Sequence, residues 1–563
     1  MLTQLVLRNF KRFPDATIPL GNAVVFVGPN NSGKTTALQA LALWDFGLRR
    51  WNEKRAGEKT PEKRPGIILN RRELATLPVP ATRLLWHETR TSSRQIEVSV
   101  TGVTSAQTWE CGLEFGYVNE ESFRVRPLKA PRVDGPDRML IPPAAAEQRV
   151  VLLPPMSGLA TVERRIEAGA IDVSLGEGRS AEVLRNLCHL LHRENPDRWG
   201  RVKETVLRSF GVELNDPTFV VSRGEIEMTY RERGVELDIT SAGRGMHQMV
   251  LLLTHLYAHP RSVLLLDEPD AHLEILRQRE TYAILTEAAR ESESQIIAAT
   301  HSEVLLGEAA VRDVVIAFVG KPHRIADRGP QVLKSLRSIG FDQYLLAEIR
   351  GWILYLEGSL DLATLRAFAE VLGHPAIAAL REPFVHYVAN VPSAASNHFD
   401  ALREARPDFV GIAIFDRIPN VQDTPELRQR CWRRNEIENY LCFPSVLTTY
   451  ASSLADDVAG GPLFVEGMRA RCVAAMDSAV RRRFPPGALE DASDPWWVSV
   501  KASDDLLDRI FAEFFSSLGI ENLMRKSDYH ELARLVPKEL IDVEVVGMLD
   551  AIVEVAGRAK PVE

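Results

Sequence analysis

The stretch GPNNSGKTT, Gly28 to Thr36, places two glycines, a lysine and a hydroxyl residue at the spacing G-x-x-x-x-G-K-[ST]. It follows the apolar run AVVFVG and precedes a helix predicted from about Thr35. In that context a glycine loop wraps backbone N–H groups around phosphates, and the helix N-terminus adds partial positive charge. Lys34 would reach the outer phosphates and Thr35 would hold Mg2+, while Gly28, Asn30, Asn31, Ser32, Gly33 and Thr36 complete the cradle. Further along, SVLLLDEPDAHLE ends an apolar run on Asp267 and Glu268. Asp267 suits the Mg2+ shell, and Glu268 is placed to orient or deprotonate an attacking water. His301 ends the run SQIIAATHS. Alone it would read as structural; beside these motifs it reads as a sensor of the terminal phosphate.

A second set of acids lies in the C-terminal half. WILYLEGSLDLATL puts Glu357 at a strand end and Asp361 four residues on, and AIFDRIPN ends an apolar run on Asp416. WRRNEIENYL supplies Glu436 and Glu438. Carboxylates gathered in this way are what two-metal phosphodiester cleavage requires. A second acid two residues after Asp416 would be usual, yet that place is Ile418. Arg433, Arg434 and the arginines at 481–483, beside Trp432 and Phe484, offer charge and rings for nucleic-acid contact.

The elements that must position these groups form two α/β patterns. Residues 2–27 read as strands, 50–150 as an antiparallel β-rich insertion, and 181–194 as a helix with apolar spacing i, i+3, i+4, i+7. Apolar strands around 263, 295 and 314 complete the first pattern. The second opens at WILYLEG, continues with a helix from about Asp361 to Gly373, and includes FVGIAIFD. Beyond about 445 the chain reads as amphipathic helix.

The chain has 563 residues, 45% hydrophobic and 26% charged, which fits a soluble protein of two to four domains. A formal net charge of -8 excludes a uniformly basic coat but not a local basic groove. No apolar run is long enough for a membrane span, and the opening MLTQLVLRNFKRF lacks the core of a signal peptide. The 5 scattered cysteines, without a CxxC, fit a reducing cytoplasm.

TSAGRGMHQMVLLL opens a helix with Ser-x-Gly. The order phosphate loop, Ser-x-Gly, Asp-Glu-Pro, then His resembles the ABC ATPase superfamily, and LRNFKRF with GPNNSGKTT is similar to its soluble SMC-type branch. That resemblance implies ATP and Mg2+ as ligands. It also implies a homodimer or higher oligomer in which Ser241 and Gly243 reach the nucleotide of the opposite subunit. No sustained heptads are present, so the long coiled coil of SMC proteins is not expected. Glu357, Gly358 and Asp361 resemble the first TOPRIM motif, and AIFDRIPN resembles the Asp-x-Asp strand of the same fold. WRRNEIENYL is similar to a segment of the OLD-family (overcoming lysogenisation defect) ATPase-nucleases and their antiphage relatives.

The expected fold class is therefore α/β. Residues 1–335 would be an ABC/SMC-type P-loop ATPase head with its insertion, 336–350 a linker, 351–445 a TOPRIM-like domain, and 446–563 a helical region completing or capping it. By resemblance Glu357 is an acid/base group or first metal ligand, and Asp361 and Asp416 are further ligands. A downstream lysine steadies phosphate charge, with Lys526 the first candidate and Lys501 the second. Either Glu436 or Glu438 compensates for Ile418, giving a Mg2+- or Mn2+-dependent DNA endonuclease gated by ATP in antiphage defence. Or the domain is a non-catalytic platform, and the ATPase is a sensor and scaffold for a separate nuclease, toxin or retron effector.

Overall fold

The structure is a computed structural model. It describes all residues except 56–65, 75–76, 78, 93, 105–106, 130–137, 157, 178, 326–339, 420, 460–461, 492–493 and 563. Contacts divide the chain into two units, Met1–Leu333 and Lys334–Val562.

Among the described residues of the first unit, a six-stranded sheet runs in the order His323–Arg324, Val314–Ala317, Ala23–Val27, Gln295–Thr300, Val263–Asp267, Val150–Leu153. All its pairings are parallel except that of His323–Arg324. The runs 263–266 and 295–300 are buried throughout, as strands covered on both faces must be. The helix Lys34–Arg55 covers one face; Leu38, Leu41 and Trp44 are fully buried in a core shared with Phe26, Leu265 and Ile297. A second, antiparallel sheet joins the N-terminal hairpin to the insertion, in the order Phe13–Pro19, Leu2–Phe10, Ile96–Val103, Thr108–Asn119, Ser122–Pro127, Ile67–Asn70. The insertion is thus narrower than 50–150: residues 50–55 belong to the phosphate-loop helix, and Val150 opens a strand of the parallel sheet.

In the second unit a four-stranded parallel sheet has the order Val385–Tyr387, Trp352–Leu356, Val410–Phe415, Leu427–Cys431. Its two central strands are buried at every residue. The helix Ser359–Leu372 stops at Gly373, whose φ of 66° is the left-handed cap that glycine adopts without strain. Helices Pro444–Val458, Val465–Arg483, Asp508–Leu518 and Val543–Gly557 pack into one core with the sheet, through Phe511, Phe514, Leu549 and Ile552 against Leu354, Leu356 and Ile412.

The linker expected at 336–350 needs correction. Residues 336–339 lie outside the described residues, but Phe341–Arg350 is a helix. Its Tyr344 and Ala347 are fully buried, and burial of that face holds it to the unit. The boundary expected at 335 also lies outside the described residues.

Candidate functional site

Parallel strands deliver their C-terminal ends to one edge of a sheet, and ligands in such folds bind there. The register pairs Thr300 with Val27 and Asp267 with Ala299, so Gly28, His301 and Glu268 all follow neighbouring strand ends. Lys34 is buried, and its Nζ donates to the carbonyls of Gly28 at 2.7 Å and Pro29 at 2.9 Å. Burial pulls this lysine down to about 8, against the opposing pull of Asp267 and Glu268. Thr35 Oγ1 donates to Asp267 Oδ1 at 3.1 Å. Burial pushes Asp267 up to about 6, a cost that a cation at this spot would relieve.

His301 links the lysine to the glutamate. Its Nδ1 lies 3.5 Å from Lys34 Nζ, and its Nε2 lies 3.3 Å from Glu268 Oε1. A lysine can only donate, so Nδ1 accepts and Nε2 carries the proton. Glu268 itself stands at φ 51°, a left-handed conformation that costs a non-glycine residue energy and is found at working sites.

The loop is shaped by contacts that the motif does not show. Gly33 has φ 108°, and a Cβ there would meet Phe13 Cζ at 2.5 Å. Arg12, next to Phe13, donates to the Asn31 carbonyl and so brings a guanidinium to the phosphate loop. Ser32 Oγ is buried without a hydrogen-bond partner, as expected of a group that meets a phosphate. Asn30, Asn31 and Thr36 occupy the rim of the loop and the first turn of its helix. Asp270, not singled out in the sequence, accepts from Thr300 Oγ1 beside this cluster.

Ser241 and Gly243 are built into a different place. Ser241 ends a short 3-10 turn, Ile239–Ser241, and Gly243 caps the helix Arg244–Ala258. Asp238 holds the turn by accepting from Thr240 N at 2.9 Å and Thr240 Oγ1 at 2.7 Å. Behind it sits the buried Arg185, which donates to Ala160 O at 2.9 Å and to Asp238 Oδ1 at 3.3 Å. A cavity of about 390 Å³ opens here, lined by Ser241, Gly243, Arg244, His272 and Arg277 and by no residue of 28–36.

In the second unit Glu357 and Asp416 follow the ends of neighbouring strands, paired at Tyr355 and Ala413. Asn390, absent from the sequence reading, joins them: its Nδ2 donates to Glu357 Oε2 at 2.7 Å and to Asp416 Oδ2 at 2.8 Å. Burial and the adjacent Glu357 hold Asp416 far above the usual carboxylate range, at about 9. Burial lifts Asp361 to about 6 and, reinforced by Glu436 and Asp361, lifts Glu438 to about 8.

The other expected ligands are differently employed. Asp361 turns back to accept from Gly358 N at 2.9 Å, capping its own helix, and Glu436 accepts from Ser503 N. Lys526 pairs with Asp504 and Asp508. Lys501 is the lysine that senses Glu436 and Glu357, although its closest partner is Asp504 at 2.7 Å. Among the described residues no three His, Cys, Asp or Glu side chains form a ready metal cage. Mg2+ seldom needs one, since it keeps several waters and binds through one or two carboxylates plus substrate phosphates. The Glu357–Asp416 pair fits that mode. Ile418 packs beside the apolar cluster of Tyr355, Phe384, Phe399 and Phe415.

The arginines expected to meet nucleic acid are paired internally. Arg433 lies 3.2 Å from Glu544, Arg481 2.9 Å from Asp477, and Arg482 and Arg483 share Glu513. Arg434 donates to Asn439 O at 2.8 Å and stacks on Tyr440 and Trp497. Trp432 and Phe484 are buried, so neither ring is free to stack on a base.

Comparison with known proteins bears on the first unit. The family model described as "AAA ATPase domain" matches residues 1–45, and that described as "AAA domain, putative AbiEii toxin, Type IV TA system" matches residues 181–307. No curated protein matches the chain. Among solved structures, the chain is similar to the SMC head domain from Thermotoga maritima at 15% identity and a TM-score of 0.32, covering 57% of this chain and 98% of that one. It is also similar to the Smc head domain of Pyrococcus furiosus bound to the C-terminal domain of ScpA, at 15% identity and 0.35, covering 60% and 99%. A third is described as "recombination mediator protein RecF-ATPrS in RecFOR pathway", at 12% identity and 0.31, covering 56% and 95%. Among the described residues no helix is long and apolar enough to cross a membrane. The phosphate loop lies within the first matched segment, and Asp267, Glu268 and His301 lie within the second: these parts of the chain are similar to AAA-type ATPase domains, a class that implies ATP and typically Mg2+ as ligands.

Proposed function

We propose that the chain is an ATP-gated, Mg2+-dependent nuclease of OLD type acting in antiphage defence, with a TOPRIM-like second unit. The observation that carries the nuclease reading is the Glu357–Asp416 pair at adjacent parallel strand ends, with Lys501 within electrostatic reach. A divalent ion held there would supply charge neutralisation for the attacking and leaving oxygens. Glu357 and Asp416 would hold it and Lys501 would offset phosphate charge. In the first unit Glu268 would orient the attacking water, and His301 would report the terminal phosphate through its bond to Glu268.

The cavity lined by Ser241 and Gly243 but by no residue of 28–36 supports a sandwich dimer, in which these residues meet the partner's nucleotide. ATP binding energy is then available only in the closed pair, which makes it a switch. A second reading, a scaffold with a non-catalytic second unit that releases a separate effector, is favoured by Ile418 standing where an acid would. Plasmid nicking with Mg2+ or Mn2+, with and without ATP, separates them. Cleavage lost in Glu357→Ala with ATPase retained supports the nuclease; no cleavage under any metal or nucleotide, with normal ATPase, leaves the scaffold.

A further inference from the structure

The acid pair of the second unit is held by a residue from the turn that follows a third strand, Val385–Tyr387. Asn390 belongs to a turn, Val388 to Val391, closed by Val391 N donating to Val388 O at 2.9 Å. Its two central residues are both left-handed, with φ 44° at Ala389 and 60° at Asn390. Asparagine tolerates that conformation better than most side chains, whereas alanine does not, so the turn is kept at some cost.

The orientation of the Asn390 amide is fixed by chemistry. Asp416 N can only donate, and it lies 2.8 Å from Asn390 Oδ1. The oxygen must therefore face that N–H, which leaves Nδ2 facing the acids. An NH2 group has two hydrogens, and there is one carboxylate for each: Glu357 Oε2 at 2.7 Å and Asp416 Oδ2 at 2.8 Å. One oxygen of each carboxylate is thus engaged by the same amide. Glu357 Oε1 and Asp416 Oδ1 take no bond from Asn390, and the two carboxyl groups lie close enough to hydrogen-bond each other, a contact that a cation between them would replace.

We propose that Asn390 is a positioning residue for a divalent cation: it clamps one oxygen of Glu357 and one of Asp416 so that their other oxygens converge on the ion. This rests on the metal-site reading of the acid pair given above. Outer groups that hydrogen-bond metal-ligating carboxylates commonly govern affinity by about 10–100-fold.

The test is Mn2+ binding to the full chain, free of nucleotide, by electron paramagnetic resonance titration alongside thermal unfolding. Asn390→Gly removes the amide while suiting the left-handed φ, so the fold is kept. The expected result is a single cooperative unfolding transition with at most a modest drop in midpoint, from the unpaired Asp416 N–H, and a Mn2+ affinity weaker by about 10–100-fold. Asn390→Ser, which can donate to one carboxylate only, should fall between the two. Glu357→Gln is the control for the site itself. Glycine or serine variants binding Mn2+ as tightly as wild type, while Glu357→Gln loses it, would overturn the clamp and leave the metal site standing. Wild-type binding indifferent to Glu357→Gln would overturn both.

Discussion

Replacing Arg185 with methionine tests whether the turn bearing Ser241 is held from behind. Methionine keeps most of the apolar stem and removes the guanidinium, which donates to Ala160 O at 2.9 Å, to Thr161 O at 3.5 Å and to Asp238 Oδ1 at 3.3 Å. Removing one partner of a fully buried pair costs about 3–5 kcal/mol, because a charge is stranded. Here the Asp238 side chain is 45% exposed, so water can take over its charge. The main loss is then the unpaired Ala160 carbonyl, at about 1–3 kcal/mol, with less from the longer Thr161 bond. The sum is about 2–4 kcal/mol. With a urea slope near 3 kcal/mol/M, the first unit should unfold at a denaturant concentration lower by roughly 1 M. Asp238 would also lose its anchor while still capping Thr240, so the Ser241 turn should loosen. On the proposed sandwich dimer, steady-state ATPase should then reach half its maximum only at a higher protein concentration. An unchanged urea midpoint together with unchanged ATPase would refute the reasoning.

Glu268→Gln keeps shape and hydrogen bonding but removes the base; hydrolysis should drop about 10²–10⁴-fold, with ATP holding the chain as a dimer on size exclusion. Hydrolysis at the wild-type rate would show that Glu268 has another role. Ile418→Asp should destabilise the second unit by about 1–3 kcal/mol, because the acid would enter an apolar cluster, and should leave Mn2+ affinity unchanged; a gain in affinity would show that the side chain reaches the site. His398 Nδ1 lies 2.8 Å from the Tyr355 hydroxyl and its ring stacks on His386 at 4.0 Å; burial, then His386, pulls it from 6.5 down to about 4. A folded pKa below the unfolded one gives stability that is present above pH 6.5 and lost as pH falls toward 4. Allowing for partial exposure, acid unfolding should show a loss of about 2 kcal/mol across that window, absent in His398→Asn.

The phosphate loop, Asp267, Glu268 and His301 were legible because each is a contiguous motif at the end of an apolar run, and strand ends in a parallel sheet converge. Glu357 and Asp416 were legible for the same reason. What failed to show depends on tertiary partners. Which acids Lys501 and Lys526 meet depends on how the C-terminal helices pack: both pair with Asp504, and only Lys501 also feels the charge of Glu357 among its main neighbours. The arginines at 481–483 read as a basic patch until Asp477 and Glu513 are brought beside them. Phe341–Arg350 was hidden by the Gly- and Pro-containing stretch before it, although Tyr344, Ala347 and Glu348 bury one side of a helix. Asn390 follows a strand of only three residues, too short for a periodic signal.

The missing acid at 418 therefore carries less weight than its place in the sequence suggests. Its side chain joins an apolar cluster, while the space between Glu357 and Asp416 is bridged from Asn390, on a different strand connection. Two carboxylates make a weaker cation site than three. Mg2+ accepts that situation when substrate phosphate completes its shell. On the proposed reading, occupancy would then depend on nucleic acid as much as on metal concentration, and Lys501 would favour the arrival of the phosphate. On the same reading, a site of this kind would reach full occupancy only when its substrate is presented.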